Sequence, residues 1–332
     1  MSRDALKREF LHNAGWGDAS CNAMGSDASK RSYDRVTRES QTAILMNAPF
    51  EAGEDIGPFV KVTQILRKFG YSAPNLLAQD DENGFLLLED LGDALFAKLA
   101  PVSSAFERQI YESAIDLLLD MHRHGAEGLA PYDVPVYRRE ASLFTDWYIP
   151  HATGEELPTE AREQFLSLVE SEMPIPPIPV ITLRDFHAEN LIWIEDRQGI
   201  ARVGLLDYQD ALAGHPAYDL VSLLEDARRD TSKALQNEML DYYINKSGVS
   251  SGPFLKCYSA LGAQRNLKIV GIFTRLCCRD GKEFYPTLIP RVWKHLMNDL
   301  SHPDLSVLKH WVEENAPEPD EEIIERICKN RA

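Results

Sequence analysis

Short apolar stretches and longer amphipathic stretches occupy different parts of the chain. In the first 90 residues, a helix is predicted over 4–14, and apolar runs predict strands at 32–36 and 42–46. A second helix is predicted over 58–69, because its apolar residues recur on one face and Gly70 is a typical stop. This part of the chain is therefore expected to be rich in strands.

The pattern changes after a predicted hairpin. Residues 76–78 and 85–88 read as paired strands across a polar turn, and a short polar segment, 89–93, follows. Beyond it, long helical patterns dominate, including 106–124 and 161–172. The fold class is therefore predicted to be α+β with two lobes.

The same change in pattern predicts the domain boundaries. A small β-rich N-terminal lobe is expected over residues 1–88 and a hinge over 89–93. A larger, mainly helical C-terminal lobe is expected over 94–332. A proline-rich stretch at 174–179 reads as an extended connector into the next apolar strand.

Composition narrows the class of protein. The chain has 332 residues, 44% of them hydrophobic and 26% charged, which is ordinary for a globular protein. No apolar run approaches the roughly 18 residues that span a bilayer, so no membrane association is expected. The five cysteines are an odd number, and Cys277 and Cys278 are adjacent, so a disulfide framework is not expected. A reduced, cytoplasmic protein is predicted.

The charge balance bears on possible partners. The net charge of −17 argues against nucleic acid as a partner, because nucleic-acid sites are basic. Acidic residues also crowd the C-terminal tail from residue 313 onward, where they are expected to be solvated, so the net charge gives no indication of the charge of a substrate.

A group of polar residues lies among three apolar stretches, 180–183, 191–194 and 203–206, which are predicted to be strands. Asp185 follows the first, Asn190 precedes the second and Asp207 follows the third. Taken singly, such residues are ordinary loop polar groups. Together, and in this frame, they have the layout of a phosphoryl-transfer enzyme.

Each of the three residues has a separate predicted role. Asp185 would orient a substrate hydroxyl and accept its proton. Asn190 and Asp207 would hold Mg²⁺ against the phosphates of ATP, since this ion prefers oxygen ligands and binds few protein groups when phosphates and water supply the rest. ATP and Mg²⁺ are therefore the expected cofactors.

The chain resembles the aminoglycoside phosphotransferase and choline kinase-like enzymes, which share the protein-kinase fold. That family typically reads H-G-D-x-H-x-x-N, then a strand ending in Asp, then G-x-P-x-x-D-L. Three segments carry the resemblance: 183–190 (LRDFHAEN), 206–210 (LDYQD) and 214–220 (GHPAYDL). The resemblance implies a bilobal protein-kinase-like fold, and it adds His187 and Asp219 to the family positions.

A narrower resemblance is to the branch that contains bacterial anomeric kinases of N-acetylmuramate and N-acetylglucosamine. It is carried by the segments 25–33 (GSDASKRSY), 45–49 (LMNAP), 87–93 (LLEDLGD) and 222–230 (SLLEDARRD). It implies phosphorylation of the anomeric hydroxyl of a sugar in cell-wall sugar recycling.

The predicted phosphate-binding part departs from the family. The usual lysine of the third strand is missing, and Met46 ends the strand where that lysine is expected. Lys30, Arg31 and Arg35 are the candidate replacements, with a solvated strand edge as the alternative for the first two. Helix 58–69 also has no Glu that would pair with such a lysine.

The remaining ATP contacts are predicted from the same resemblance. Backbone N–H groups around Ser29 would bind phosphate together with Lys30 and Arg31. Glu89 and Leu91 lie where the connector of the family offers a backbone C=O and N–H to adenine, with a plain linker as the alternative.

Four residues are candidates for holding a sugar or amino sugar: His187, Asp210, Asp226 and Arg229. For the last three the alternative is a surface salt bridge. Asp219 is expected to be structural, either capping the helix that follows or bracing the segment that carries Asp185.

Three functions remain open on the sequence. The first is an anomeric sugar kinase, the second an aminoglycoside kinase, and the third a nucleotide-binding pseudokinase that scaffolds a partner. The missing lysine motivates the third. The joint presence of Asp185, Asn190 and Asp207 speaks against it, because a binding module needs no proton acceptor.

Overall fold

The computed structural model describes residues 1–25 and 30–329. The predicted phosphate-binding residue Ser29 lies outside the described residues. The chain divides into two compact units. The first contains Met1–Leu117 and Glu189–Ala211, and the second contains Leu118–Ala188 and the chain from Leu212 onward. The predicted boundaries at 88 and 93 stay a prediction.

The helices and strands up to residue 172 are, in chain order, α1 (Arg3–Asn13), β1 (Ser20–Ala23), β2 (Ser32–Arg38), β3 (Gln41–Asn47), α2 (Gly57–Lys68), β4 (Leu76–Asp80), β5 (Phe85–Glu89), α3 (Phe96–Leu99), α4 (Ser104–Met121), α5 (Val134–Leu143), α6 (Ile149–Thr153) and α7 (Thr159–Glu172). Those that follow are β6 (Val180–Thr182), β7 (Leu191–Trp193), β8 (Val203–Leu205), β9 (Leu212–Gly214), α8 (Ala217–Leu224), α9 (Lys233–Ser247), α10 (Ser251–Cys278), α11 (Ile289–Asp299), α12 (Ser306–Asn315) and α13 (Glu321–Lys329).

The first unit is built on a five-stranded antiparallel sheet with the order β1-β2-β3-β5-β4. Leu45, Phe85 and Leu87 of its central strands pack with Phe10 and Leu11 of α1 in one core cluster. The four residues 85–88 are all buried, so β5 has both faces covered. The predicted hairpin is confirmed, since Leu76 pairs with Leu88.

The turn of that hairpin depends on glycine. Gly84 has φ +68, and its N–H donates to the carbonyl of Asp80 at 2.9 Å. A Cβ at this position would lie 2.2 Å from the carbonyl oxygen of Ala48. Neither the positive φ nor the space at this position suits a residue with a side chain, so the turn requires glycine at position 84.

The second unit is mainly helical, as predicted. Its centre is α10, a 28-residue helix that packs against α5, α8 and α11. Gly271 of α10 lies directly against the backbone of α5, because a Cβ would come within 2.3 Å of the carbonyl of Leu143. The one small sheet described in this unit pairs β6 with β9.

The strands around the polar motif separate into two pairs. β6 pairs with β9, while β7 pairs with β8 in the first unit. All three strands predicted here exist, each ending one residue earlier than predicted. Among the described helices, none combines the length and the apolar character that crossing a bilayer requires.

Candidate active site

Asp185 lies in a tight turn that leaves β6. Its N–H donates to the carbonyl of Leu183 at 2.9 Å, and its own carbonyl accepts the N–H of His187 at 3.2 Å. Asp219, in the first turn of α8, accepts the N–H groups of Leu183 and Arg184 at 2.6 and 2.8 Å. Of the two roles open on the sequence, Asp219 therefore braces the segment that carries Asp185.

The brace is buried. Asp219 is 1% exposed, and burial raises its pKa to about 7, although the two N–H donors oppose the rise. A hydrogen-bonded carboxyl group in this position restrains the backbone on the N-terminal side of Asp185.

A second buried carboxylate restrains the other side. Asp226 accepts the N–H of Ala188 at 3.3 Å and that of Arg228 at 2.8 Å. The Arg228 guanidinium approaches Nε2 of His187 at 3.1 Å, and burial lowers the pKa of His187, so the imidazole is neutral near pH 7. The structure thus brings His187, Asp226 and Arg228 together beside Asp185.

In the first unit, the β7–β8 hairpin brings Asn190 and Asp207 together. Leu191, the first residue of β7, pairs with Leu205, the last residue of β8. Asn190 precedes the first and Asp207 follows the second, so both lie at the same end of the hairpin. The N–H of Leu206 donates to the carbonyl of Asn190 at 2.9 Å. This confirms that the two predicted metal ligands lie at one end of one hairpin.

Asp207 has a left-handed backbone conformation, which is uncommon for a residue with a side chain. Its φ is +53, and the only other described non-glycine residues with positive φ are Glu39 and Arg184. Its carboxylate is exposed and accepts Nε2 of Gln209 at 2.8 Å. Such strain concentrates at functional sites, where neighbouring packing maintains it.

Packing around the next residue supplies that support. Tyr208 is fully buried, its hydroxyl lies 2.8 Å from Oγ1 of Thr63, and its ring stacks on Phe59 with centroids 5.0 Å apart. Both partners belong to α2. Helix α2 therefore fixes the strand end from which the Asp207 carboxylate projects.

The oxygen atoms of Asn190 and Asp207 suit Mg²⁺ that is bound partly by the protein and partly by phosphate. Asp207 offers a carboxylate and Asn190 an amide oxygen, which are hard ligands. Within residues 1–25 and 30–329, no group of three or more His, Cys, Asp or Glu side chains could hold a metal ion. Such a sparse set is adequate where phosphate oxygens complete the coordination.

The predicted phosphate-binding cations differ in their partners. Tyr33 on β2 pairs directly with Met46 on β3, so the start of β2 lies beside the position where the family has its lysine. Nε of Arg31 is 2.8 Å from Oε2 of Glu54, and the N–H of Lys30 donates to Oε1 of Glu54 at 3.1 Å. Glu54 precedes α2, the helix in which the sequence has no Glu.

Asp207 interacts electrostatically with the residues around the start of β2. Burial raises the pKa of Tyr33, the cation of Arg31 opposes the rise, and the carboxylate of Asp207 adds to it. Arg31, Tyr33 and Asp207 therefore lie within electrostatic range of one another in the first unit.

Arg35 has a different task from Arg31. Its Nε lies 2.8 Å from Asp90 and its Nη1 lies 2.7 Å from Asp93, both in the predicted hinge. Its guanidinium therefore ties β2 to residues 90–93.

The predicted adenine contacts lie in the same unit. The side chain of Glu89 accepts from Asn75 at 2.8 Å and pairs with Arg197, so it is engaged in structure, while its backbone is the part predicted to face adenine. Leu91 is half-buried. Both adenine contacts stay predictions.

The other two candidates for sugar binding lie in separate units. Asp210 is exposed in the turn after Asp207, and Arg229 is half-buried beyond α8. Their predicted roles remain untested.

Sequence reasoning also missed a buried pair formed by Arg184 and Glu140. A signal for Arg184 was available, because it occupies the glycine position of the H-G-D pattern. Glu140 gave no signal, because it lies 44 residues earlier in the chain.

Comparisons with known proteins point to one family. Residues 20–253 match the phosphotransferase enzyme family. The chain is 36% identical to an N-acetylmuramate/N-acetylglucosamine kinase of Caulobacter vibrioides, over 95% of this chain and 97% of the relative. It is also 36% identical to a kinase of the same name from Pseudomonas aeruginosa, over 92% of each chain.

Solved structures share the fold at low identity. A choline kinase from Streptococcus pneumoniae superposes with a TM-score of 0.63 and 15% identity, over 89% of this chain and 99% of that one. An ADP-bound aminoglycoside phosphotransferase gives 0.54 and 16%, over 86% and 95%. The protein-kinase-like fold predicted from the motifs is confirmed. The chain belongs to the phosphotransferase enzyme family and is an ATP-dependent enzyme that transfers a phosphoryl group to a hydroxyl.

Proposed function

We propose that the enzyme phosphorylates the anomeric hydroxyl of N-acetylmuramate and N-acetylglucosamine, within cell-wall sugar recycling in the cytoplasm. One observation carries the choice of sugar. Two bacterial kinases named for these sugars match at least 92% of the chain. The aminoglycoside and choline enzymes share only the fold, at 16% identity or less.

In phosphoryl transfer the protein mainly positions the two substrates and neutralises the charge of the phosphates. The acceptor oxygen attacks the γ-phosphorus, the bond to the β–γ bridging oxygen breaks, and ADP leaves. Asp185 takes the proton of the hydroxyl. The two buried carboxylates around it, Asp219 and Asp226, support this role because they limit the directions that its side chain can take.

The metal role is assigned to Asn190 and Asp207. Their oxygens would hold Mg²⁺, which neutralises phosphate charge during transfer. The shared end of the β7–β8 hairpin supports this assignment, since it keeps both side chains on one rigid element.

The acceptor is tested by phosphorus NMR. With Mg–ATP, N-acetylmuramate and N-acetylglucosamine should each give an α-linked sugar 1-phosphate, whose phosphorus couples to the anomeric proton. The 1-O-methyl glycosides are the matched controls and should give no product, because they lack the free hydroxyl. Transfer only to an aminoglycoside or to choline would overturn the sugar assignment. ATP binding without transfer to any acceptor would favour a scaffold.

The binding of the ATP phosphates is assigned to Arg31, together with Lys30 and the backbone N–H groups around Ser29. Arg31 and Glu54 would replace the lysine and glutamate pair of the family. Arg31→Gln should raise the KM for ATP by roughly 10- to 100-fold, the range expected when a charge-assisted hydrogen bond of about 1.5–3 kcal/mol is lost. Steady-state kinetics with varied ATP measure it.

The matched control for Arg31 is Lys7 of α1, whose partner carboxylate lies on β2, the strand that follows Arg31. Lys7 pairs with Asp34 of β2 at 2.6 Å, so Lys7→Gln removes an ion pair of similar exposure. It should leave the KM for ATP unchanged. An unchanged KM in Arg31→Gln would exclude Arg31, and Lys30→Gln would then be compared in the same assay.

A further inference from the structure

The residue before Asp185 is held in a conformation that its own side chain disfavours. Arg184 has φ +73, in the left-handed region that a glycine adopts without strain. The family pattern has glycine at this position. An arginine here needs compensating contacts, and the surrounding residues supply them at three points.

All three parts of Arg184 are anchored in the second unit. Its N–H donates to Oδ1 of Asp219 at 2.8 Å, and its carbonyl accepts Oγ of Ser222 at 3.1 Å. Its guanidinium pairs with the carboxylate of Glu140 and lies 5.4 Å from the ring centre of Tyr132. Peptide plane and side chain are therefore fixed together.

Glu140 is the centre of a buried polar cluster. It is 7% exposed on α5, and a second cation, Lys268 of α10, lies 3.2 Å from its Oε1. The hydroxyl of Tyr132 donates to its Oε2 at 2.5 Å, and Nε2 of Gln264 lies 3.4 Å away. Burial would raise the pKa of Glu140, but Lys268 and Arg184 hold it below its ordinary value, so the carboxylate stays charged.

The two cations around Glu140 differ in what they connect. Arg184 is covalently next to Asp185, so the contacts that anchor Arg184 also restrain the peptide from which Asp185 projects. Lys268 approaches the same carboxylate from α10. One pair thus links the cluster to the catalytic segment, while the other links two helices.

We propose that Arg184 is a positioning residue, whose buried pair with Glu140 holds the backbone before Asp185 in the left-handed conformation and so fixes the direction of the Asp185 carboxylate. This role rests on the proposed function, in which Asp185 accepts the proton. A glycine at 184 can adopt this conformation but also several others. The anchored arginine removes that freedom before substrate arrives.

The test compares Arg184→Gly with Lys268→Met. Arg184→Gly relieves the strain but removes the anchor, so kcat should fall roughly 10- to 100-fold. A misplacement of a catalytic group by about 1 Å can produce a loss of this size. The KM for ATP and the KM for the sugar should stay unchanged. Lys268→Met removes a salt bridge to the same carboxylate and should lower the melting temperature with kcat unchanged. Arg184→Lys keeps the charge and should recover part of kcat.

Hydrogen exchange gives a readout that does not depend on activity. Arg184→Gly should speed exchange in peptides covering residues 183–188, whereas Lys268→Met should not. Equal effects of the two variants on kcat and on exchange would overturn the positioning role and leave only a stabilising cluster. If the parent enzyme turns over neither sugar, the proposed function fails, and the exchange comparison still decides the role of Arg184.

Discussion

Replacing Asp185 by asparagine should lower kcat by roughly 10²- to 10⁴-fold, the range in which a positioned general base contributes. Asparagine has nearly the same shape as aspartate and can still hydrogen-bond a hydroxyl, but it accepts no proton at neutral pH. Because the backbone of this segment is restrained by Asp219 and Asp226, the change should leave its conformation intact. Affinity for ATP should therefore remain near that of the parent.

Turnover of N-acetylglucosamine measures kcat, and calorimetry measures the affinity for ATP. The control is Glu189→Gln, which removes an exposed carboxylate four residues further along the same segment. It should retain full turnover. Persistence of turnover in Asp185→Asn would show that another group accepts the proton, whereas a joint loss of turnover and ATP affinity would indicate a structural defect.

Local pattern was sufficient for elements whose signals lie close together in the sequence. The hairpin of β4 and β5 combines two apolar runs with a turn that needs Gly84, so both strands and the turn between them were signalled, although each strand extends past its predicted end. Helix α2 was equally clear, because its buried residues follow a helical period. Features of this kind depend on neighbours in sequence and can be read without the fold.

The two missed strands lack such signals. All four residues of β1 are exposed, so its sequence has no apolar alternation. β9 has three residues and forms by pairing with β6, which lies 30 residues earlier. Tertiary pairing, rather than local preference, makes these segments strands.

The same division applies to the site. Asn190 and Asp207 could be predicted to meet, because β7 and β8 are joined by a short polar turn and their strand ends fix the register. The pair of Arg184 and Glu140 could not, since their contact exists only after α5 packs in the second unit. Glu54 was overlooked for a simpler reason. An acidic partner for the phosphate-binding cation was sought within α2, whereas Glu54, which pairs with Arg31, precedes that helix.

Replacing Asp207 by asparagine should lower kcat by roughly 10²- to 10³-fold, because charge stabilisation by a metal ion is worth several kcal/mol. Among non-glycine residues, asparagine and aspartate tolerate positive φ best, so φ +53 is kept and only the charge is lost. The Mg²⁺ concentration that gives half-maximal turnover should rise, and the affinity for ATP measured without metal should stay the same or increase, since a repelling carboxylate is gone.

Magnesium titration of turnover, and calorimetry of ATP with and without Mg²⁺, separate these effects. Asp196→Asn is the matched control, because Asp196 is exposed in the turn of the same hairpin. It should leave the magnesium requirement unchanged. If Asn190 and Asp207 bind one ion, Asn190→Ala should cost much less in the Asp207→Asn background than in the parent, because residues that share a partner are not additive. Full additivity of the two changes, or an unaltered magnesium requirement in Asp207→Asn, would exclude a shared metal at this strand end.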